Sequence, residues 1–234
     1  MSKHLLILLA LFPGFAVGQD LSGNDKQNNL NSLGGEVANT VRPMRKKYEG
    51  MSGNPYMLTD YRPGKLTIEE SKSFDGILIN VDLLLNEFLV KKVKTEQPRV
   101  VDLKKFNSAE IQIDFDSSLI VKKIDLGKHG ITFGWQLATG KKGEVLVRIV
   151  KRIKHADYSG AYSRGTTVDE IYDEFEYYFI SSNNPAPQQF SMKRKQIVKV
   201  FPAEAELINN YLAKNNVDFS NYSDLRPFFS TLLQ

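Results

Sequence analysis

Apolar residues recur at every second position over more than half of this chain, and a period of two leaves the strand as the only regular element that can bury them on one side. Ile77, Ile79 and Val81 alternate with Asn80 and Asp82, and Ile111, Ile113 and Phe115 alternate with Glu110, Gln112, Asp114 and Asp116. Ile131, Phe133, Trp135 and Leu137 alternate with Thr132, Gly134 and Gln136. Val145, Val147, Ile149 and Ile153 share a face opposite Arg148, Arg152 and Lys154, while Phe175, Tyr177 and Phe179 stand opposite Glu174 and Glu176. Each run reads as an antiparallel strand with one buried and one wet face. "FDG", "DLGKHG" and "TGKKG" lie among them as hairpin signals. No segment of helical period and helical length interrupts the series between Lys65 and about Phe190, so a parallel sheet is not expected. The expectation is a mainly β fold, an antiparallel meander forming either an open curled sheet or a small barrel.

The pattern changes after residue 190. Ser191 is placed to cap a helix through "MKRKQIVKV", with Ile197, Val198 and Val200 docking and Lys193, Arg194 and Lys195 in water. Pro202 suits a helix start, and Glu204 and Glu206 favour the positive end of that helix's dipole. Leu207, Ile208, Tyr211 and Leu212 are expected on one face. "NNVDFSN" ends this helix, and Ser223 and Asp224 begin a last one carrying Leu225, Phe228, Phe229, Leu232 and Leu233. Pro227 is expected in its first turn. Two or three short amphipathic helices this close together need a shared partner surface, and the sheet supplies one.

The N-terminus reads as an address. Lys3 and His4 form a short basic region, Leu5 to Phe15 is apolar apart from Pro13 and Gly14, and Ala16-Val17-Gly18 places small residues before Gln19. That is the layout of a secretory signal peptide, and the run is shorter than the roughly 20 apolar residues needed to span a bilayer. Removing it takes away Lys3, which lowers the formal net charge from +4 to +3. The next residues, rich in Asn, Gly, Ser and Asp, bury too little surface to offset the entropy of ordering and read as a tether, with Arg42, Arg45, Lys46 and Lys47 as solvated linker charges. The expected organisation is a signal peptide over 1–18, a flexible linker over 19–53, the β domain over 54–190 and a helical appendage over 191–234. The chain has no cysteine, which excludes disulfides, a thiolate nucleophile and cysteine-ligated zinc, so stability must come from a hydrophobic core. The sequence pI near 9.0 favours acidic partners weakly, and nucleic acid is not expected outside the cytoplasm.

Candidate chemistry is sparse. After removal of the signal peptide only His129 and His155 remain, one in a turn and one ending a strand, with no second ligand at metal spacing. No cofactor or metal is expected. Asp169, Glu170, Asp173, Glu174 and Glu176 form the densest set of carboxylates, but alternation sends Asp169 and Asp173 to one face and the three glutamates to the other. They read as a polar strand face paired with the basic residues of "RIVKRIK"; a hydrolase using Asp169, Asp173 or Glu174 is the competing reading. "DYSGAYSRGTT" joins these two strands, and Tyr158, Tyr162 and Arg164 in it are residue types enriched at binding hot spots. With Trp135, the single tryptophan, they are the candidate binding residues.

The order "GNPYMLTDYRPGKL", "FDGILINVDLLLNEFLVKK", "VLVRIVKRIKHADYSGAY", "EFEYYFIS" and "MKRKQIVKVFPAEAELINNYLAKNNVDFSNYSDLRPFF" resembles a widespread group of uncharacterised exported proteins of Bacteroidota. The likeness covers roughly residues 54–232 and departs from the group at Leu84 and Leu85, where polar aromatics are usual. The resemblance implies an envelope location, in the periplasm or at the outer membrane, and a β-rich fold; it carries no activity. The functional expectation is a non-catalytic binding or assembly module, with an envelope protein, a lipid or a glycan as candidate partner and peripheral membrane contact allowed. A carrier of an apolar ligand is the alternative, if the sheet closes into a cup lined by Phe133, Trp135, Phe175, Tyr177 and Phe179. The oligomeric state is open.

Overall fold

A computed structural model describes residues 48, 50–68, 72–114, 117–156 and 168–234. The expected signal peptide, most of the expected linker, and Phe115, Tyr158, Tyr162 and Arg164 lie outside the described residues. Ten strands form one sheet: β1 (Arg62–Ile68), β2 (Ser73–Asp82), β3 (Glu87–Lys91), β4 (Arg99–Val101), β5 (Phe106–Asp114), β6 (Ser117–Asp125), β7 (Ile131–Gly140), β8 (Gly143–Lys154), β9 (Glu170–Ser181) and β10 (Asn184–Phe190). Their spatial order is β10-β9-β8-β7-β6-β5-β1-β2-β3-β4, every neighbouring pair antiparallel. The mainly β fold with helices packed on the sheet is as the sequence implies. The sheet does not close, so the curled sheet holds and the barrel does not.

Two of the three hairpin signals are turns, "DLGKHG" between β6 and β7 and "TGKKG" between β7 and β8. "FDG" is not. It lies inside β2, where the register with β1 steps from Gly64↔Ile77 to Leu66↔Phe74 and so leaves one extra residue on β2. Gly76 takes φ +67° there, a left-handed conformation that suits a β-bulge and that most side chains resist.

One face of the sheet holds both large cores. Across β1–β6 it carries Leu66, Ile79, Val81, Phe88, Phe106, Ile111 and Val121, joined by Phe133 of β7. The strands roll around this cluster until Phe88 of β3 lies 5.7 Å from Phe133, with Phe106 4.6 Å from the first and 5.1 Å from the second. A side chain fastens the roll where no ladder does: Asn86, at the tip of the β2–β3 turn, donates from Nδ2 to the Ile131 carbonyl at 2.8 Å. A strap helps. Ser52 N–H donates to the Asp169 carbonyl and Ile171 N–H to Ser52, while Met57 N–H donates to Val81 and Leu83 N–H to Pro55, so the strap pairs with the start of β9 at one end and the end of β2 at the other. Gly53 sits at φ +89°, and a Cβ on it would stand 2.2 Å from the Ile171 carbonyl. Among the described residues, pairing with the sheet is first made at Ser52, inside the expected linker.

Over β7–β9 the same face is covered by three helices, α1 (Arg194–Val200), α2 (Ala205–Lys214) and α3 (Tyr222–Leu232). Leu137, Val145 and Val147 meet Ile197, Ile208, Leu225, Phe228, Phe229, Leu232 and Leu233, all buried. The C-terminal end is fixed to the β7–β8 turn, where Lys142 N–H donates to the Leu233 carbonyl and Lys142 Nζ to Leu232. Four local expectations need correction. Lys193, not Ser191, occupies the N-cap position of α1, and no side chain caps that helix, because β10 runs on to Phe190 and the Ser191 carbonyl accepts from Lys193 N–H in the turn. Leu207 points to water at 40% exposure while Ile208 carries the contact. Asn221 caps α3 by accepting from Ser223 N–H, which places Pro227 inside the helix rather than in its first turn. The helix loses the bond from residue 227 to Ser223 and keeps its place through the four buried side chains that flank the gap.

Candidate functional site

The opposite face of β8 and β9 forms the floor of an open trough of about 1080 Å³. Alternation and register dictate what faces it: Arg148, Val150 and Arg152 from β8 beside Glu176 and Tyr178 from β9. One wall is the β6–β7 turn with Asp125, Leu126 and His129, and the other is the start of β10 with Pro185, Pro187 and Gln189. The two walls face each other because the sheet curls enough for β10 to approach β6. On the same face, Ile124 and Leu146 pack with Tyr178 in a small core of their own.

The charged floor is built in pairs. Arg148 Nη1 donates to Glu176 Oε2 at 2.8 Å and Arg152 Nε to Glu174 Oε2 at 3.0 Å. Glu176 Oε2 also accepts from the Tyr178 hydroxyl at 2.8 Å; burial and that carboxylate push the Tyr178 pKa up to about 12, so the phenol stays a donor. Arg148 is fixed from its other side. Its Nε donates to Thr132 Oγ1 at 3.2 Å, and that hydroxyl donates to Asn86 Oδ1 at 3.1 Å. The residue that fastens the roll thus ends a hydrogen-bonded line running from the β2–β3 turn to the middle of the trough. Two of the five guanidinium N–H groups are used in this way, which leaves Arg148 donors for the trough. Glu144 pairs with Lys122 and Gln136 further along the same face.

The carboxylate cluster does what cross-strand alternation implies. Asp173, on the helix face, holds Lys151 at 2.7 Å, and the Lys151 side chain is only 5% exposed. Glu174 and Glu176 hold the two trough arginines on the other face. Asp169 lies just before β9 and accepts from Ala156 N–H and from His155 Nδ1; these two partners keep its carboxyl below the usual carboxylate range. All three carboxylates of the hydrolase reading, Asp169, Asp173 and Glu174, are therefore each held by a basic partner. Among the described residues no group of three or more His, Asp and Glu is placed to hold a metal. His129 lines the trough wall from a 3-10 turn.

Trp135 is partly buried in the helix-covered core. It packs edge-on against Tyr222 of α3 at 5.3 Å, and Phe179 packs against Phe201 at 4.6 Å. With Phe133 in the rolled core, the side chains expected to line a cup are used in packing. Phe175 alone stays 46% exposed, with its ring 6.0 Å from Tyr222.

A second polar cluster was not legible in the sequence. Asp82 is fully buried, accepts from Tyr48 Oη at 2.6 Å and from Leu85 N–H at 2.9 Å, and sits beside Tyr56 and Tyr61. Burial pushes its carboxyl up while Tyr48 and the backbone N–H groups draw it down, with burial ahead. Alternation placed Asp82 at the wet end of β2; the strap that buries it comes from thirty residues earlier in the fold's logic of long-range contact, which no local pattern encodes. Compared with known proteins, the chain matches no family model, no curated protein and no solved structure.

Proposed function

We propose that this chain is an exported, non-catalytic binding module of the cell envelope whose binding surface is the trough between the β6–β7 turn and β10. The observation that carries this reading is Arg148, a half-buried cation fixed at both ends by Thr132 and Glu176 in the floor of a concave surface. Fixing a side chain on regular strands through a line of supporting hydrogen bonds is how binding groups are kept in place before a ligand arrives. The pairing of the nearby carboxylates with basic residues supports binding over hydrolysis. Edge pairing with another strand is poorly served, because Pro185 and Pro187 remove donors from β10 and β4 has only three residues. The signal-peptide layout of residues 1–18 and the resemblance to exported Bacteroidota proteins support the location.

Two measurements test this. Mass spectrometry of the protein from its own cells should find a chain that begins at Gln19 in the envelope fraction; an intact N-terminus in the cytoplasm overturns the location. Protein, lipid and glycan fractions of the envelope should then be titrated into labelled chain 19–234. Amide shifts confined to residues 125–129, 148–152, 176–178 and 184–189 are expected from one of them. Shifts that map elsewhere, or none from any fraction, overturn the trough as the binding surface.

A further inference from the structure

Resting on the trough as the binding surface, we infer that its ligand is a neutral glycan chain laid along the floor, with Arg148 and Glu176 as paired donor and acceptor to the hydroxyls of one sugar. The charged groups that line the trough are Arg148, Arg152, Asp125 and Glu176, two of each sign. Such a floor carries no net charge to draw in an ion, and it sets a carboxylate beside every guanidinium donor that an anion would approach. A sugar hydroxyl both donates and accepts, so adjacent hydroxyls match a guanidinium N–H and a carboxylate oxygen held 2.8 Å apart without separating them.

The rest of the surface agrees. Ligand pockets for small molecules enclose most of their ligand; this trough, at about 1080 Å³, is open to solvent between its two walls, which leaves room for a chain to continue past the bound sugar. Pro185 and Pro187 supply apolar surface for the C–H faces of sugar rings between the polar contacts. An extended peptide would need a row of backbone partners, and β10 lacks two of its N–H groups at the wall. The support of Arg148 through Thr132 and Asn86 keeps the donor from folding onto Glu176 alone and lowers the cost of ordering it on binding.

The test uses chain 19–234 and three probe sets: maltoheptaose, cellopentaose, chitopentaose and mannopentaose; oligogalacturonate; and a neutral proline-containing decapeptide. Arginine Nε–H and backbone amide resonances are followed by NMR. At least one neutral oligosaccharide should shift Arg148 Nε–H and the Gln189 amide saturably. Arg152→Gln and Gln189→Ala, both on accessible side chains, should each weaken that binding by up to about tenfold, the size of one lost polar contact, with an unchanged melting temperature. Trough shifts from oligogalacturonate or the peptide alone would overturn the neutral glycan and leave the binding surface standing. Silence from all three sets would overturn the neutral glycan and leave the trough to the envelope-fraction titration, whereas sugar-induced shifts outside the trough would overturn both.

Discussion

Tyr61 shows how a single atom can be out of balance in a well-packed structure. Its hydroxyl is buried with no hydrogen-bond partner among the described residues, although its ring lies 4.1 Å under the Lys91 ammonium. Leaving such a group unpaired costs about 1–3 kcal/mol, so Tyr61→Phe should raise stability by about 1 kcal/mol, read as a higher urea midpoint at unchanged slope. A lower midpoint would show that the hydroxyl has a partner outside the described residues. Asp82 gives a prediction of opposite kind. A carboxyl whose pKa is higher folded than unfolded holds more protons in the folded state between the two values, so its contribution to stability falls as pH rises from its ordinary 3.8 through the raised folded value. An asparagine amide fits the same contacts, accepting from Leu85 N–H and donating to the Tyr48 hydroxyl. Asp82→Asn should therefore gain stability relative to the parent as pH rises across that window, and the difference should level off above it. Asp169, whose pKa is lowered, acts in the other direction at acid pH but is common to both forms, so it cancels in the comparison. Parallel stability–pH curves for the two proteins would mean that Asp82 titrates as it does in the unfolded chain.

At the level of elements, what the sequence reveals is what local pattern encodes. Val145, Val147 and Ile149 opposite Arg148 and Arg152 define both faces of β8, and the alternation of β9 places Glu174 and Glu176 against those arginines before any coordinates are known. Leu225, Phe228, Phe229, Leu232 and Leu233 mark the buried stripe of α3 equally well. Three things escape. β10 hides because Pro185 and Pro187 read as breakers, yet an edge strand tolerates them. Gly76 reads as a turn because the same left-handed residue serves a hairpin or a bulge, and only the register of β1 decides between them. The trough escapes because its two walls, Leu126 and Pro185, are brought together by curvature of the whole sheet. The last helix carries the firmest prediction at this scale. Its Leu225, Phe228, Phe229 and Leu232 are fully buried against β7 and β8, and truncating one such phenylalanine costs about 3–5 kcal/mol against a typical total of about 5–15 kcal/mol. Deleting residues 224–234 should leave an insoluble or much less stable chain. Phe228→Ala should stay folded with a markedly lower melting temperature. Trp135 reports the same docking, since Tyr222 covers its ring; its emission should shift red in Phe228→Ala well below the melting temperature of the parent. An unshifted emission and an unchanged melting temperature would mean that α3 does not hold this face.

Across the whole molecule, the two large cores lie on one side of one sheet and share β7 as a wall. Phe133 belongs to the rolled cluster and Trp135, two residues further on the same face, to the helix-covered one. The strap adds a second link, since it is paired to β9 at Ser52 and to β2 at Met57, at opposite ends of the strand order. Either half could unfold alone only by stripping one flank of β7 and breaking the strap. The described body exceeds the roughly 150 residues within which a single cooperative transition is usual, so cooperativity here is a consequence of the shared strand rather than of small size. In urea, Trp135 emission and far-ultraviolet circular dichroism should therefore trace one superimposable transition. The sharper form of this prediction uses Phe106→Ala, whose site touches Phe88 and Phe133 and none of the helices. Removing that ring should cost about 3–5 kcal/mol and move both curves to the same lower midpoint, although Trp135 sits in the other core. A circular dichroism curve that splits in two while the Trp135 transition stays at the parent midpoint would show two independent units, with β7 acting as a seam between them.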